Sequence, residues 1–277
     1  MTITIDMIKQ LREATAAGMG ACKEALQATD GNMDEAVKYL REKGLAVAAK
    51  RVDNESKQGI VALAEAADGS AKALAEVNCE TDFVAKTEAF IKFVDDAAKA
   101  ALEGKDIEQA LGDDYKMLLT KTGENVKIRR SERFVLEGAG CLSGYIHMGG
   151  KIGVLVELAC EKTGEKLDDA AHMICLHIAA NSPRYTKPEE VPQAEIDAEL
   201  EIKLNALKEQ KGKLPPEQAL VGIKKGMAAK YCTQVCLLKQ DYVANADQTV
   251  EQYLAEVGKE LGAEVSVKRF CRMQLGA

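Results

Sequence analysis

The sequence predicts an α+β fold: a three-helix N-terminal domain, then a core of two related antiparallel-sheet-plus-helix subdomains with an inserted αα-hairpin. Three observations carry that expectation. Apolar residues recur at helical spacing through residues 1–52; strand-period runs followed by a helical stripe then occur twice; and all five prolines fall between positions 183 and 216, around a further helical stretch. Proline fixes φ and lacks a backbone N–H, so this concentration marks the joints of an insertion. The resulting boundaries are 1–52 for the helical domain, 55–138 and 139–277 for the two subdomains, and 190–231 for the hairpin.

In the first domain Ile8 and Leu11 set the inner face of one helix, Gly18-Met19-Gly20 breaks it, and a second short helix runs through Leu26. Asp30-Gly31 turns the chain. Asn32 caps a third helix with Glu35 three residues on, and Ala36, Val37 and Leu40 form its buried stripe until Gly44 stops it. Three short helices with a Met-Gly loop resemble the ubiquitin-associated type of fold.

After a polar linker at residues 53–58, strands at 59–66 and 71–79 flank Asp68-Gly69, a dipeptide suited to a hairpin turn. Phe90, Ile91, Val94, Ala98, Ala101 and Leu102 then supply the apolar face of a long helix that packs on this sheet. A helix around residues 115–121 ends at Gly123, and a strand over 126–136 comes next. The second hairpin spans 144–148 and 152–160, with a helix over 167–180. The glycine-led runs Gly59-Ile60-Val61 and Gly153-Val154-Leu155 suggest that the two halves are duplicates. In the insert, Ile196, Leu200, Leu204 and Leu207 make one stripe, and Leu220, Ile223 and Met227 another, so the pair forms a helical hairpin, the candidate surface for a homodimer. A helix over 247–261 and a strand over 264–273 complete the second sheet.

Composition narrows the function. The net charge of −7 gives no global positive field for a polyanion, which argues against direct nucleic-acid binding. No apolar run approaches a membrane span and no basic start leads into an apolar segment, so the chain reads as cytoplasmic, with eight cysteines kept reduced.

Catalytic signatures are missing. Gly149-Gly150-Lys151 lacks the earlier glycine of a phosphate-binding loop, and Gly138-Ala139-Gly140 has Ser143 where a dinucleotide loop needs its third glycine. His172, Cys175 and His177 share a helix but not a face, and Cys232 with Cys236 has no second pair at zinc spacing, so core packing is the better reading and no metal or cofactor is expected. The adjacent carboxylates Asp95-Asp96, Asp113-Asp114 and Asp168-Asp169 point apart on a helix. Lys127, Arg129, Arg130 and Arg133 on one strand read as a salt-bridge ladder.

One motif is sharp. Thr81-Asp82-Phe83-Val84-Ala85-Lys86 joins a strand to the long helix, for which Thr87 is the N-cap. Phe83 either staples onto Phe90 or Ile91 or stands out as an apolar wedge beside an anionic Asp82. This segment, Leu11-Arg12-Glu13 with Ala17-Gly18-Met19, Thr122 through Arg130, His177-Ile178-Ala179-Ala180, Lys187 through Pro192 and Val235-Cys236-Leu237-Leu238 together resemble the elongation factor Ts family over essentially the whole chain. The resemblance implies a guanine nucleotide exchange factor, not an enzyme, acting on the GTPase elongation factor Tu. It implies that Thr81, Asp82, Phe83 and Val84 enter the GTPase near its nucleotide and dislodge Mg2+. It further implies that Arg12 and Met19 rest on the GTPase domain, and that Tyr145 and His147 face another domain of the partner. Gly20 departs from the family, which commonly has a second Met there.

Overall fold

The computed structural model describes residues 3–15, 17–51, 54–212 and 215–277. Its first elements are helices α1 (Ile5–Thr15), α2 (Met19–Ala28) and α3 (Met33–Lys50), closed around Ile8, Leu11, Cys22, Leu26, Ala36 and Leu40. Asn32 caps α3 as expected, its Oδ1 accepting from the backbone N–H groups of Asp34 and Glu35 at 3.1 and 3.2 Å. Gly44 does not stop this helix; α3 passes through it. A Cβ at Gly44 would lie 2.0 Å from Thr120 Oγ1, so the glycine is there because another helix, α7 (Gly112–Thr122), crosses in contact with it. Thr120 Oγ1 also donates to the Leu40 carbonyl at 3.1 Å. Part of the expected 53–58 linker, Asp53, lies outside the described residues.

Strands β1 (Gln58–Glu65) and β2 (Ala71–Cys79) pair antiparallel, Gly59 opposite Asn78 and Glu65 opposite Lys72. Gly69 takes the positive φ of +73° that the Asp-Gly turn anticipates. After a single helical turn, α4 (Asp82–Ala85), helix α5 (Glu88–Leu102) lies on the sheet through Phe90, Phe93, Val94, Ala97 and Ala101. Ile91, expected in that stripe, is 41% exposed, because the face turns through Phe93 and Ala97 instead. A short α6 (Ile107–Ala110) precedes α7, which ends at Gly123 with φ +64°. Strand β3 (Lys127–Val135) completes a sheet of order β1-β2-β3.

The second sheet has the order β4-β5-β8, from β4 (Gly140–His147), β5 (Ile152–Ala159) and β8 (Ser266–Gln274). Between β5 and β8 lie α8 (Glu165–Asn181), the hairpin helices α9 (Gln193–Lys211) and α10 (Glu217–Val235), a two-stranded ribbon of β6 (Asp241–Tyr242) and β7 (Asn245–Thr249), and α11 (Val250–Leu261). Periodicity predicts this last helix from residue 247. It starts at Val250 because Thr249 and Gln252 form a capping box there, and the residues before it pair as β7. The stripe residues of α9 and α10 are half-buried, as two helices leave them. By contact density the chain divides into two units, one of Met1–Phe134, Ile146–Gly153 and Met273–Ala277, the other of Val135–Tyr145 and Val154–Arg272.

Each sheet carries the same internal device. Gly59 has φ +140° and sits where a Cβ would meet the Val77 carbonyl oxygen at 2.1 Å; Gly140 has φ +155° and would meet the Leu158 carbonyl oxygen at 2.0 Å. Next to those carbonyl residues stand Glu76 and Glu157, both buried. Glu76 binds Arg130 Nε at 2.7 Å with Arg129 Nε at 3.9 Å, and Glu157 binds Arg269 Nε at 2.6 Å with Lys268 Nζ at 3.5 Å. A buried cysteine lies three positions beyond each glutamate, Cys79 and Cys160. The partner of Gly59 is therefore Gly140 and not Gly153, whose Cβ would lie 2.6 Å from Val61 Cγ1 and which serves close packing.

Candidate functional site

The turn α4 projects Phe83 with 79% of its surface in water. It does not staple onto Phe90 or Ile91. Leaving such a ring unburied forgoes roughly 1.5–3 kcal/mol, so its exposure calls for a use. The neighbouring groups hold the turn rather than cover the ring. Thr81 is extended and its hydroxyl caps Val84 N at 3.4 Å, Lys86 Nζ donates to Asp82 Oδ2 at 2.6 Å, and Thr87 donates to the Val84 carbonyl at 2.8 Å while accepting from Phe90 N at 3.3 Å. Ala85 is buried, and half-buried Val84 packs on the core beneath the sheet. Of the four tip residues, Asp82 and Phe83 face solvent, while Thr81 and Val84 serve as footing.

Sequence reasoning does not foresee what clamps the footing. Glu124, just past the Gly123 cap of α7, accepts from the backbone N–H of Glu80 at 3.0 Å, from that of Thr81 at 3.1 Å, and from the Thr81 hydroxyl at 2.6 Å. Glu80 returns the bond: its carboxylate accepts from Asn125 N at 2.6 Å and from Asn54 Nδ2 at 2.9 Å, with Arg51 at 3.3 Å. The two carboxylates thus exchange backbone bonds across segments distant in sequence. The Asn125 amide is the main reason the Glu80 carboxyl is held below its ordinary value, and the Lys86 bond does the same for Asp82, so both carboxylates are ionised at neutral pH. Cys79 beneath it is pushed up to about 12 by burial and is an inert thiol. The signal available in the sequence is Glu124 itself, within the stretch Thr122 to Arg130.

The remaining predicted residues are spread over other elements. Arg12 is exposed on α1, and Met19, the first residue of α2, is 40% exposed, both on the helical module. Tyr145 and His147, two apart on β4, share one face of the strand and are half-buried; Tyr145 meets His172 edge-on at 5.8 Å. His177 is fully buried, its Nδ1 accepting from Val243 N at 3.2 Å, so Nε2 carries the proton and donates to Gln240 Oε1 at 2.9 Å. Burial lowers its pKa. On β3, Arg129 and Arg130 converge on Glu76, while Arg133 donates to the Leu102 carbonyl at 2.6 Å. Among the described residues no helix is long and apolar enough to cross a membrane.

Comparison with known proteins gives the same direction over nearly the full length. The family model described as elongation factor TS matches residues 80–277. The chain is similar to proteins named elongation factor Ts from Clostridium novyi (strain NT), Clostridium kluyveri (strain NBRC 12016) and Clostridium perfringens (strain SM101 / Type A), at 39%, 40% and 38% identity. Each match spans 99% of this chain and 93% of the relative. On the family match and these identities, the chain belongs to the elongation factor Ts family.

Proposed function

We propose that the chain is a translation elongation factor that accelerates guanine nucleotide exchange on elongation factor Tu by protein binding, without covalent chemistry or a cofactor of its own. The observation that carries this reading is the ring of Phe83, exposed at 79% on a turn clamped by Glu124 and Glu80. A factor and a nucleotide that share one partner weaken each other reciprocally, and each thousandfold loss of nucleotide affinity requires about 4 kcal/mol. Burying one phenyl ring in the partner yields roughly 1.5–3 kcal/mol, so the ring supplies much of that coupling if it occupies space available only when the nucleotide leaves. The remainder falls to Asp82, an anion brought beside a Mg2+ whose charge holds the phosphates. Arg12 and Met19 then dock the helical module, and Tyr145 and His147 a second surface, so that the tip arrives in one orientation.

The proposal also carries the domain reading: a helical docking module over 1–52, two core subdomains at 55–138 and 139–277, and a hairpin over 190–231. Its test is direct. Phe83→Ala should slow release of a fluorescent GDP analogue from the GTPase by at least tenfold, on the loss of about 1.4 kcal/mol or more of coupling, with an unchanged circular dichroism spectrum. Exchange at the wild-type rate would remove the ring from the mechanism.

A further inference from the structure

Beside the Phe83 ring lies an open groove of about 530 Å3 whose charged lining is Glu80, Asp82, Lys86 and Lys151. Three of these charges are matched within the chain: Asp82 by Lys86 at 2.6 Å, and Glu80 by Arg51 at 3.3 Å. Lys151 is not; its side chain is exposed and makes no ion pair or hydrogen bond among the described residues. Its position is nevertheless fixed. Its backbone N–H donates to the His147 carbonyl at 3.1 Å and its carbonyl accepts from Leu275 N at 2.8 Å, while the preceding Gly150 accepts from Val61 N at 2.7 Å. Gly150 holds φ +91° at a site where a Cβ would fall 2.6 Å from Ile60 Cγ2, so the turn is pressed against β1. A cation with an anchored backbone, no partner among the described residues and a place in the same groove as the exposed ring is pre-set for an anion that comes from outside.

We propose that Lys151 receives a carboxylate side chain of the GTPase when Phe83 enters it, which sets the on-rate and the angle of approach. This rests on the exchange-factor reading. A nucleotide phosphate is the other anion available to a lysine, but holding it would stabilise the ligand that the tip is there to expel, because a group bound by both molecules raises nucleotide affinity. A carboxylate on the protein stays in the complex after the nucleotide leaves.

The experiment measures association of the purified full-length chain with elongation factor Tu, nucleotide-free and GDP-bound, by stopped flow at low and high salt. Lys151→Ala should lower the association rate about fivefold and Lys151→Glu by tenfold or more at low salt, with both gaps closing at high salt and Lys151→Arg near wild type. The loss should be equal for the nucleotide-free and GDP-bound partner. A loss confined to the GDP-bound partner would assign the anion to a phosphate and overturn the proposal, as would Lys151→Glu at the wild-type rate. Phe83→Ala run alongside separates the two ideas: if it leaves exchange intact the exchange-factor mechanism fails, whereas slow exchange with an indifferent Lys151 removes only the carboxylate contact.

Discussion

The sheets β1-β2-β3 and β4-β5-β8 share a scaffold and differ in the segment that leaves the middle strand. Both have a left-handed or near-extended glycine pressed on the neighbouring strand, a buried glutamate held by two basic residues of the last strand, and a buried cysteine three positions on. After Cys79 the chain makes the clamped turn that presents Phe83; after Cys160 it runs through Glu161-Lys162-Thr163-Gly164 straight into α8. The shared features are ones that any such sheet needs, because a buried carboxylate must be paired and a close strand approach excludes a side chain. The unshared feature forgoes burial of a large ring and has no structural return in its own sheet. A difference of that kind between two halves marks the Phe83 turn as the candidate site without reference to a partner.

The largest expected effect tests the shared part. Glu76→Ala and Glu157→Ala should each destabilise the protein by about 3 kcal/mol, the low end for breaking a buried pair, since the arginines released keep access to water. Urea unfolding monitored by circular dichroism measures both, and clearly unequal losses would break the equivalence of the two sheets. A smaller effect tests the unshared part. Glu124→Ala removes three charge-assisted bonds at the foot of the tip, costing about 1–3 kcal/mol locally, and should raise hydrogen exchange at residues 81–85 and slow nucleotide exchange severalfold. Faster hydrogen exchange without slower nucleotide release would show that tip rigidity is dispensable.

The smallest effect belongs to the second half alone. The buried His177 is neutral, its pKa lowered by desolvation from the ordinary value near 6.5. The unfolded chain therefore takes up this proton first. Its contribution favours folding fully above about pH 6.5 and diminishes as the pH falls below that value, until the folded imidazole also titrates. His177→Gln should flatten the stability profile between about pH 5 and 7, read as melting temperature against pH. An unchanged profile would place the titration elsewhere.

The helices, hairpins and many boundaries are legible because local rules decide them. Asn32 and Thr87 cap where the sequence predicts caps, Gly69 and Gly123 take positive φ, and the Phe90, Val94 and Ala101 stripe faces the sheet. Two failures share a cause. Gly44 reads as a stop when its role is to admit Thr120, and Gly153 reads as the match of Gly59 when Gly140 holds the equivalent contact. In each case a glycine's meaning lies in a residue distant along the chain. For the site, sequence singles out Asp82 and Phe83 but leaves open whether the ring folds inward.

By itself the sequence determined most of the helices and strands, the occurrence of two sheets and the resemblance that points to a GTPase. Only the tertiary structure decided that Phe83 stays in water, that Glu124 and Glu80 lock its footing, and that Lys151 shares its groove. The physical reason is range: periodicity and capping act within a few residues, whereas the hydrogen bonds that the Glu80 and Thr81 N–H groups donate to Glu124 join residues 44 and 43 positions apart, and exist only once the packed helices have brought them together.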